Sequence, residues 1–378
     1  MTRPVILGAM PYVYDYYRKS ATALLDETGG NTGNLAFRFA IATQLVSPAI
    51  LPWHASIANI RAAGDLIVLP LANQLGAHTQ LGSQVERLQQ IGLPILGLGL
   101  GAQAKSSSED IVLDPGTKAW LETLVMRAPT AGPNLGVRGP YTAEQIAKQG
   151  FPRAALVTGC PSNFINSQDD IASSIAAGFK RKIRHIAVAA GIPYIPILAN
   201  IERSLAEIVT ATTGAYIVQH GLEMIRLARG EFDLMAPETF AICKKYISPA
   251  STDDEFKTWC RTYAYAFLDV RAWMDFLRRF DFVVGTRIHG IMLAIQAGVP
   301  AGCIAHDSRT MELCTTMGLP VCHYTDIRAP LTRDNLLDYF NFDPDHYRET
   351  RRRLCANYLS ILASAGVRAS EGLIKLAS

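Results

Sequence analysis

Short apolar segments that stop at a glycine and hand over at once to a helical pattern recur along this chain of 378 residues. That alternation argues for parallel sheets, because successive parallel strands need a long crossover and a helix supplies it. It predicts strands at Val5–Ala9, Asp65–Leu69, Pro94–Leu98, Leu135–Arg138 and Ala155–Thr158 in the first half. In the second half it predicts Ile183–Ala189, Tyr216–Gln219, Phe282–Gly285, Ala301–Ala305 and Pro320–His323. Helical patterns are predicted over 35–45, over 140–149 with proline at the start and Gly150 past the end, over 253–279, and from about His346 to Ser378.

The length exceeds what one compact core accommodates and suits two α/β domains. The polar stretch near Cys160–Ser174 reads as the linker, giving domains over 1–165 and 175–345. The tail 346–378 is expected to form helices packing back on the first domain.

A composition of 49% hydrophobic and 18% charged residues fits a globular protein, and a net charge of +3 gives no argument for a nucleic-acid partner. Arg351-Arg352-Arg353 reads as a solvated helix face. Seven cysteines without metal-ligand spacing favour reduced thiols and suggest no metal site. The first residues lack the apolar core of a signal peptide, and the apolar runs Ile91–Ala102 and Ile186–Ala199 are too broken to span a bilayer. A cytoplasmic protein is expected, with peripheral association at the inner face of the membrane left open. The oligomeric state is not specified.

Chemistry concentrates at strand ends. Phe282–Gly285 is followed by Thr286-Arg287-Ile288-His289-Gly290, where a helix over Ile291–Ala297 begins. Ile288, Ile291, Met292 and Ile295 form its buried stripe, and His289 falls off that stripe in the first turn. A helix N-terminus favours anions and disfavours imidazolium, so a phosphate or carboxylate could sit there beside a histidine of modest pKa. The next strand ends in His306-Asp307-Ser308-Arg309, on the same sheet edge, and Arg138 sits at a third strand-to-helix switch. Asp307 could instead cap its helix and pair with Arg309 at the surface. Asn31 and Asn34 belong to a glycine-rich turn whose backbone could approach a ligand. Gly97 to Ala102 formally fits GxGxxA but precedes a polar loop, Lys105–Ser108, rather than a helix, so Gly99 and Gln103 are expected to border the cleft. Cys160 has no sequence neighbour to activate it as a nucleophile. Glu223, after Gln219-His220-Gly221-Leu222, is a candidate general base.

In this order, these motifs resemble the polysaccharide pyruvyl transferase family over about residues 5 to 325. The resemblance rests on Asn31–Asn34, Gly97–Gly101, Arg138-Gly139-Pro140-Tyr141-Thr142, Gly159-Cys160-Pro161-Ser162, Gly285–Gly290 and Asp307-Ser308-Arg309 before Glu312-Leu313. It implies two Rossmann-like domains facing a central cleft, similar to the GT-B glycosyltransferases, with acceptor on the first domain and donor on the second. It also implies transfer of a pyruvyl group from phosphoenolpyruvate, as donor substrate and without a cofactor, to a pair of sugar hydroxyls on a glycan acceptor, free, polymeric or lipid-linked. Arg287 and His289 would then be donor-site residues and Arg138 a donor contact. Arginine binds phosphate and carboxylate bidentately, and an imidazole near neutrality can act as acid, base or both. On this scheme Arg287 and Arg138 clamp the donor, His289 shuttles protons, and Asp307 orients His289 or Arg309. A nucleotide-sugar glycosyltransferase of the same shape, and a non-catalytic sugar-binding or assembly protein, are the competing readings.

Overall fold

The computed structural model describes residues 2–104, 109–168 and 170–378. The loop Lys105–Ser108 and Asp169 of the linker stretch lie outside the described residues. Two parallel sheets form. The first comprises β1 (Pro4–Leu7), β2 (Ala49–Leu51), β3 (Leu66–Pro70), β4 (Asn73–Leu75), β5 (Ile95–Ala102), β6 (Leu135–Val137) and β7 (Ala155–Val157). The second comprises β8 (Ile186–Ala189), β9 (Ala215–Val218), β10 (Ala264–Ala266), β11 (Phe282–Gly285), β12 (Ala301–Ala305) and β13 (Val321–His323). Each pairing between these strands is parallel.

The order of the second sheet is β10-β9-β8-β11-β12-β13, the doubly wound arrangement, and its direction of winding reverses between β8 and β11. The first sheet runs β2-β1-β3-β5-β6-β7, with β4 added on β5, and reverses between β1 and β3. Two Rossmann-like halves, the fold class expected from the alternation, are therefore present. Helices cover both faces, which is why strands such as Ile186–Ala189 and Ile95–Ala102 are buried along their whole length. One apolar cluster is continuous across the two halves. It joins Ile6, Val68 and Leu96 to Ala187, Ile217 and Val283, and takes in Tyr358 and Leu362 of the helix Pro344–Ser364.

Several expectations are corrected. The helical pattern over 253–279 is broken into the helices Asp253–Tyr263 and Val270–Leu277 by the edge strand β10. A strand of 3 residues is too short to show a period of two, so pairing with β9 alone creates it. The helix after β11 begins at Ile288, one turn before the expected Ile291. Arg351 is not on a solvated face: it is buried, and its guanidinium donates to the carbonyls of Asn163, Asn166 and Gln168. The stretch Pro161–Phe164, polar in sequence, is likewise enclosed. Helix Pro344–Ser364 also touches the first sheet, where Asn357 Nδ2 donates to Val157 O at 2.8 Å. Among the described residues no helix is long and apolar enough to cross a membrane.

Candidate active site

Glycines decide how β11 meets the helix Ile288–Gln296. A Cβ on Gly285 would lie 2.1 Å from Ala189 O, and one on Gly290 would lie 2.7 Å from Gln219 Nε2 and 2.8 Å from Ala189 Cβ. Only hydrogen fits at either position, so the helix N-terminus sits flush on the ends of β8 and β9, at the switch point. Arg287 occupies the N-cap position without capping the helix through its side chain. The helix start therefore keeps its electropositive end, and the guanidinium is not spent on capping it.

A cavity of about 480 Å³ opens at this edge between the two halves. The first half contributes Asn73, His78, Gln103 and Arg138, together with the Gly29, Asn31 and Asn34 turn. The second contributes Gln219, His220, Thr286, Arg287, His289, Arg309 and Thr310. A cavity of about 680 Å³, lined by residues including Arg181, Arg278, Asp281 and Pro300, lies at the opposite, N-terminal edge of β11 and β12. Open parallel sheets bind ligands at the carboxyl ends of their strands, so the smaller cavity is the candidate site despite its size.

Three arginines meet there. Arg138 is buried, donates from Nε to Gly99 O at 2.8 Å, and lies 5.8 Å above the Phe37 ring. Its Nη2 has no partner, and neither do Nε and Nη2 of Arg287. Arg309 Nη2 pairs with Asp307 Oδ2 at 3.3 Å. The lining residues include no carboxylate, so the cavity is a cationic pocket with unsatisfied donors, suited to an anion carrying more than one charge. His289 is only 7% exposed and faces the same space. Burial first, then Arg138 and Arg309, press its pKa well below the ordinary value. It is thus a neutral imidazole near pH 7, able to accept a proton but not stocked with one, and the shift runs in the direction expected at a helix N-terminus. His220 is shifted the same way, by burial and then by Arg287 and Arg309.

Of the residues expected from sequence, Asn31, Asn34, Gln103, Arg138, Arg287, His289 and Arg309 line the cavity. Asn31 Oδ1 accepts from Gly33 N at 2.8 Å, while the neighbouring Thr32 N donates to Gln219 O at 2.8 Å, tying the turn across the cleft. The Asn34 amide nitrogen is spent on Thr28 O and Gly29 O, which reads as loop support rather than ligand binding. Gly99 does not border the cleft. Its φ of +87° brings its backbone against Leu71 and Pro161, and its carbonyl orients Arg138. Asp307 caps the following helix through Thr310 N at 2.7 Å and pairs with Arg309, so it orients Arg309 and has no contact with His289. Its side chain is partly buried, at 19% exposure. Burial raises its pKa, but Arg309, His306 and the Thr310 bond outweigh that and hold it below the usual range. His306 sits 3.7 Å from the Asp307 carboxylate, outside the cavity lining, with its pKa lowered chiefly by burial. Glu223 faces Tyr194 instead of the cavity.

Sequence reasoning missed Asn73 and His78 of the lining, and that Glu202 is fully buried close to Thr286. Asn73 Nδ2 donates to Gln103 Oε1, and His78 Nε2 lies 2.9 Å from Asn73 O. No local pattern marks these residues, because β4 exists only through its pairing with β5. Cys160 also gains a neighbour that no spacing foretells: its Sγ lies 3.9 Å from His289 Nε2 and accepts from Ser162 Oγ at 3.0 Å.

Residues 64–308 match the family model described as polysaccharide pyruvyl transferase. No curated protein matches the chain. Among solved structures it is similar to a UDP-GlcNAc 2-epimerase from Methanocaldococcus jannaschii at 11% identity, covering 95% of this chain and 99% of that one, with a TM-score of 0.46. It is also similar to S. aureus MnaA, solved with UDP, at 13% identity over 96% and 98% of the two chains, TM-score 0.44. A UDP-forming α,α-trehalose-phosphate synthase from Burkholderia vietnamiensis matches at 11% identity over 100% and 95%, TM-score 0.39.

Proposed function

The chain belongs to the polysaccharide pyruvyl transferase family, with a pyruvyl-transfer role in polysaccharide synthesis, and we propose that its donor is phosphoenolpyruvate and its product a pyruvate ketal on a sugar. The observation that carries this reading is that Arg138 and Arg287, from opposite halves and each with buried N–H groups that have no partner, line one cavity beside a neutral imidazole. Phosphoenolpyruvate presents a phosphate and a carboxylate, and two guanidinium groups can grip both.

In the proposed reaction a proton adds to the methylene carbon and positive charge develops at C2. A first sugar hydroxyl attacks C2 and gives up its proton to His289. The bond between C2 and the phosphate oxygen breaks, and a second hydroxyl closes the ketal. Its proton leaves with the phosphate or to solvent. Arg138, Arg287 and Arg309 stabilise the departing phosphate, and no cofactor or metal is called for. The acceptor is a sugar or glycan; lipid-linked, free and polymeric forms would all present the required hydroxyl pair. A cytoplasmic location, at the inner face of a membrane if the acceptor is lipid-linked, would give access to the donor.

The test is phosphate release from phosphoenolpyruvate across galactose-, glucose- and mannose-type acceptors, expected only when an acceptor is present. Phosphoenolpyruvate is expected to raise the melting temperature. His289→Ala should still bind the donor but lose turnover. Arg287→Ala should weaken donor binding by about 10- to 100-fold, the worth of charge-assisted hydrogen bonds. Stabilisation by nucleotide diphosphates and not by phosphoenolpyruvate would move the reading to a glycosyltransferase.

A further inference from the structure

The two walls of the cavity differ in kind. The second half contributes the cations Arg287 and Arg309, whereas the first half contributes Asn73, His78 and Gln103 along β4, two amides and an imidazole. This polar wall is built tightly. Gln103 N donates to Leu75 O at 2.8 Å, and Asn73 Nδ2 donates to Gln103 Oε1. A Cβ on Gly76 would lie 2.6 Å from Gln103 O and 2.9 Å from His78 Nδ1, so only glycine lets the ring fold over the turn after β4. The wall also adjoins a donor-site cation. A Cβ on Gly101 would meet Arg138 Cδ at 3.0 Å and Asn73 Oδ1 at 3.6 Å, which makes the two side chains neighbours over that glycine.

The hydrogen bond of His78 decides its chemistry. Its Nε2 lies 2.9 Å from Asn73 O, and a carbonyl oxygen can only accept. The ring proton is therefore on Nε2, and Nδ1 carries the free lone pair. Asn73 Nδ2 also approaches Nε2, at 3.3 Å, but is already donating to Gln103. His78 is exposed as well as lining the cavity, so a proton taken there can pass on to solvent. The third histidine of the lining, His220, is placed differently. Its Nδ1 is buried without a partner, and the ring stands beside Arg287 and Arg309, where an imidazolium would meet two cations.

We propose that His78 is a second catalytic base, on the acceptor side, which takes the proton of the hydroxyl that closes the ketal. This rests on the pyruvyl-transfer reading, in which two hydroxyls of one sugar each give up a proton and His289 takes the first. In the closing step C2 has already lost phosphate. The second hydroxyl oxygen bonds to C2, its O–H bond breaks, and the proton goes to His78 Nδ1. The Asn73 carbonyl, on Nε2–H, steadies the charge of the ring until Nδ1 releases that proton to solvent. Without the base, water adds to C2 in place of the hydroxyl. The resulting hemiketal breaks down to free pyruvate and the unaltered sugar, which recovers its proton.

His78→Gln can still donate to Asn73 O but cannot take up a proton. Ketal formation should fall by roughly 10²-fold, the lower range for general base catalysis, while phosphate release falls less and free pyruvate makes up the difference. Phosphoenolpyruvate should raise the melting temperature of the variant as it does that of wild type. His78→Ala, which also gives up the bond to Asn73 O, should uncouple phosphate release from ketal formation in the same way. Wild-type ketal formation in His78→Gln overturns the proposal, whether or not His78→Ala is impaired, because support of the wall would then be its whole role. Phosphate and ketal falling together without pyruvate, or a lost melting shift, also overturns it, by placing His78 in the first step or at the donor. Wild-type silence across all acceptors instead strikes the functional reading on which the proposal rests.

Discussion

An imidazole placed among Arg138, Arg309 and the Phe37 ring cannot hold a proton easily, and that has a measurable cost in acid. The folded pKa of His289 lies well below that of the unfolded chain, so the unfolded state binds more protons as pH falls through about 6.5. Stability is therefore complete above that value and lost below it, down to the folded pKa, at up to about 1.4 kcal/mol per pH unit for each such group. His220 and His306 contribute with the same sign. His289→Gln is expected to melt with a shallower decline between pH 7 and pH 5 than wild type; an equal slope would show that the histidine is not enclosed as described. The residue itself was legible in sequence, because a strand, a glycine and an off-stripe histidine are local features. Its pKa was not, since Arg138 lies some 150 positions away. Glu202 was invisible for a related reason. A glutamate on an amphipathic helix reads as solvated until the fold encloses it.

At the level of elements, the handover from β11 to its helix depends on what the glycines keep out. Gly290→Ala would drive a methyl to 2.7 Å from Gln219 Nε2 and 2.8 Å from Ala189 Cβ. Overpacking of this kind costs about 1–3 kcal/mol, and the helix must also retreat from the switch point, drawing Arg287 and His289 with it. A lower melting temperature together with weaker phosphoenolpyruvate stabilisation is the expected pair of results. A control at Gly298, where a Cβ would meet nothing within 4 Å but φ is +78°, should lose some stability and leave donor binding alone. Unimpaired donor binding in Gly290→Ala would uncouple helix seating from the site. The elements read worst were the short edge strands β2, β4 and β10, whose 3 residues carry no period of their own. Arg351 was misread by the same logic: a run of three arginines implies solvent, but docking turns one of them inward onto three carbonyls.

Across the whole molecule, the two halves are held by contacts that also shape the cavity. Glu312, on the second half, accepts from Thr142 N at 3.2 Å at the start of the helix Pro140–Lys148 of the first, and a Cβ on Gly139 would strike it. A carboxylate at a helix N-terminus is favourable, here supplied from across the cleft. Glu312→Ala should cost about 1–2 kcal/mol, comparable to loss of a cap, and should weaken donor binding because Arg138 and Arg309 come from opposite sides. A variant that melts and binds as wild type does would remove Glu312 from the crossing. The sequence by itself determined the alternation of strands and helices, the two parallel sheets, and the strand ends that bear Arg138, Arg287, His289 and Arg309. Each of these depends on residues adjacent along the chain. Tertiary structure alone decided which of those side chains share one cavity, that Gly99 serves Arg138, that Asp307 serves Arg309, and that Glu202 is enclosed beside Thr286. Charge state and reach depend on burial and on partners distant in sequence, and these exist only once the sheets have come together.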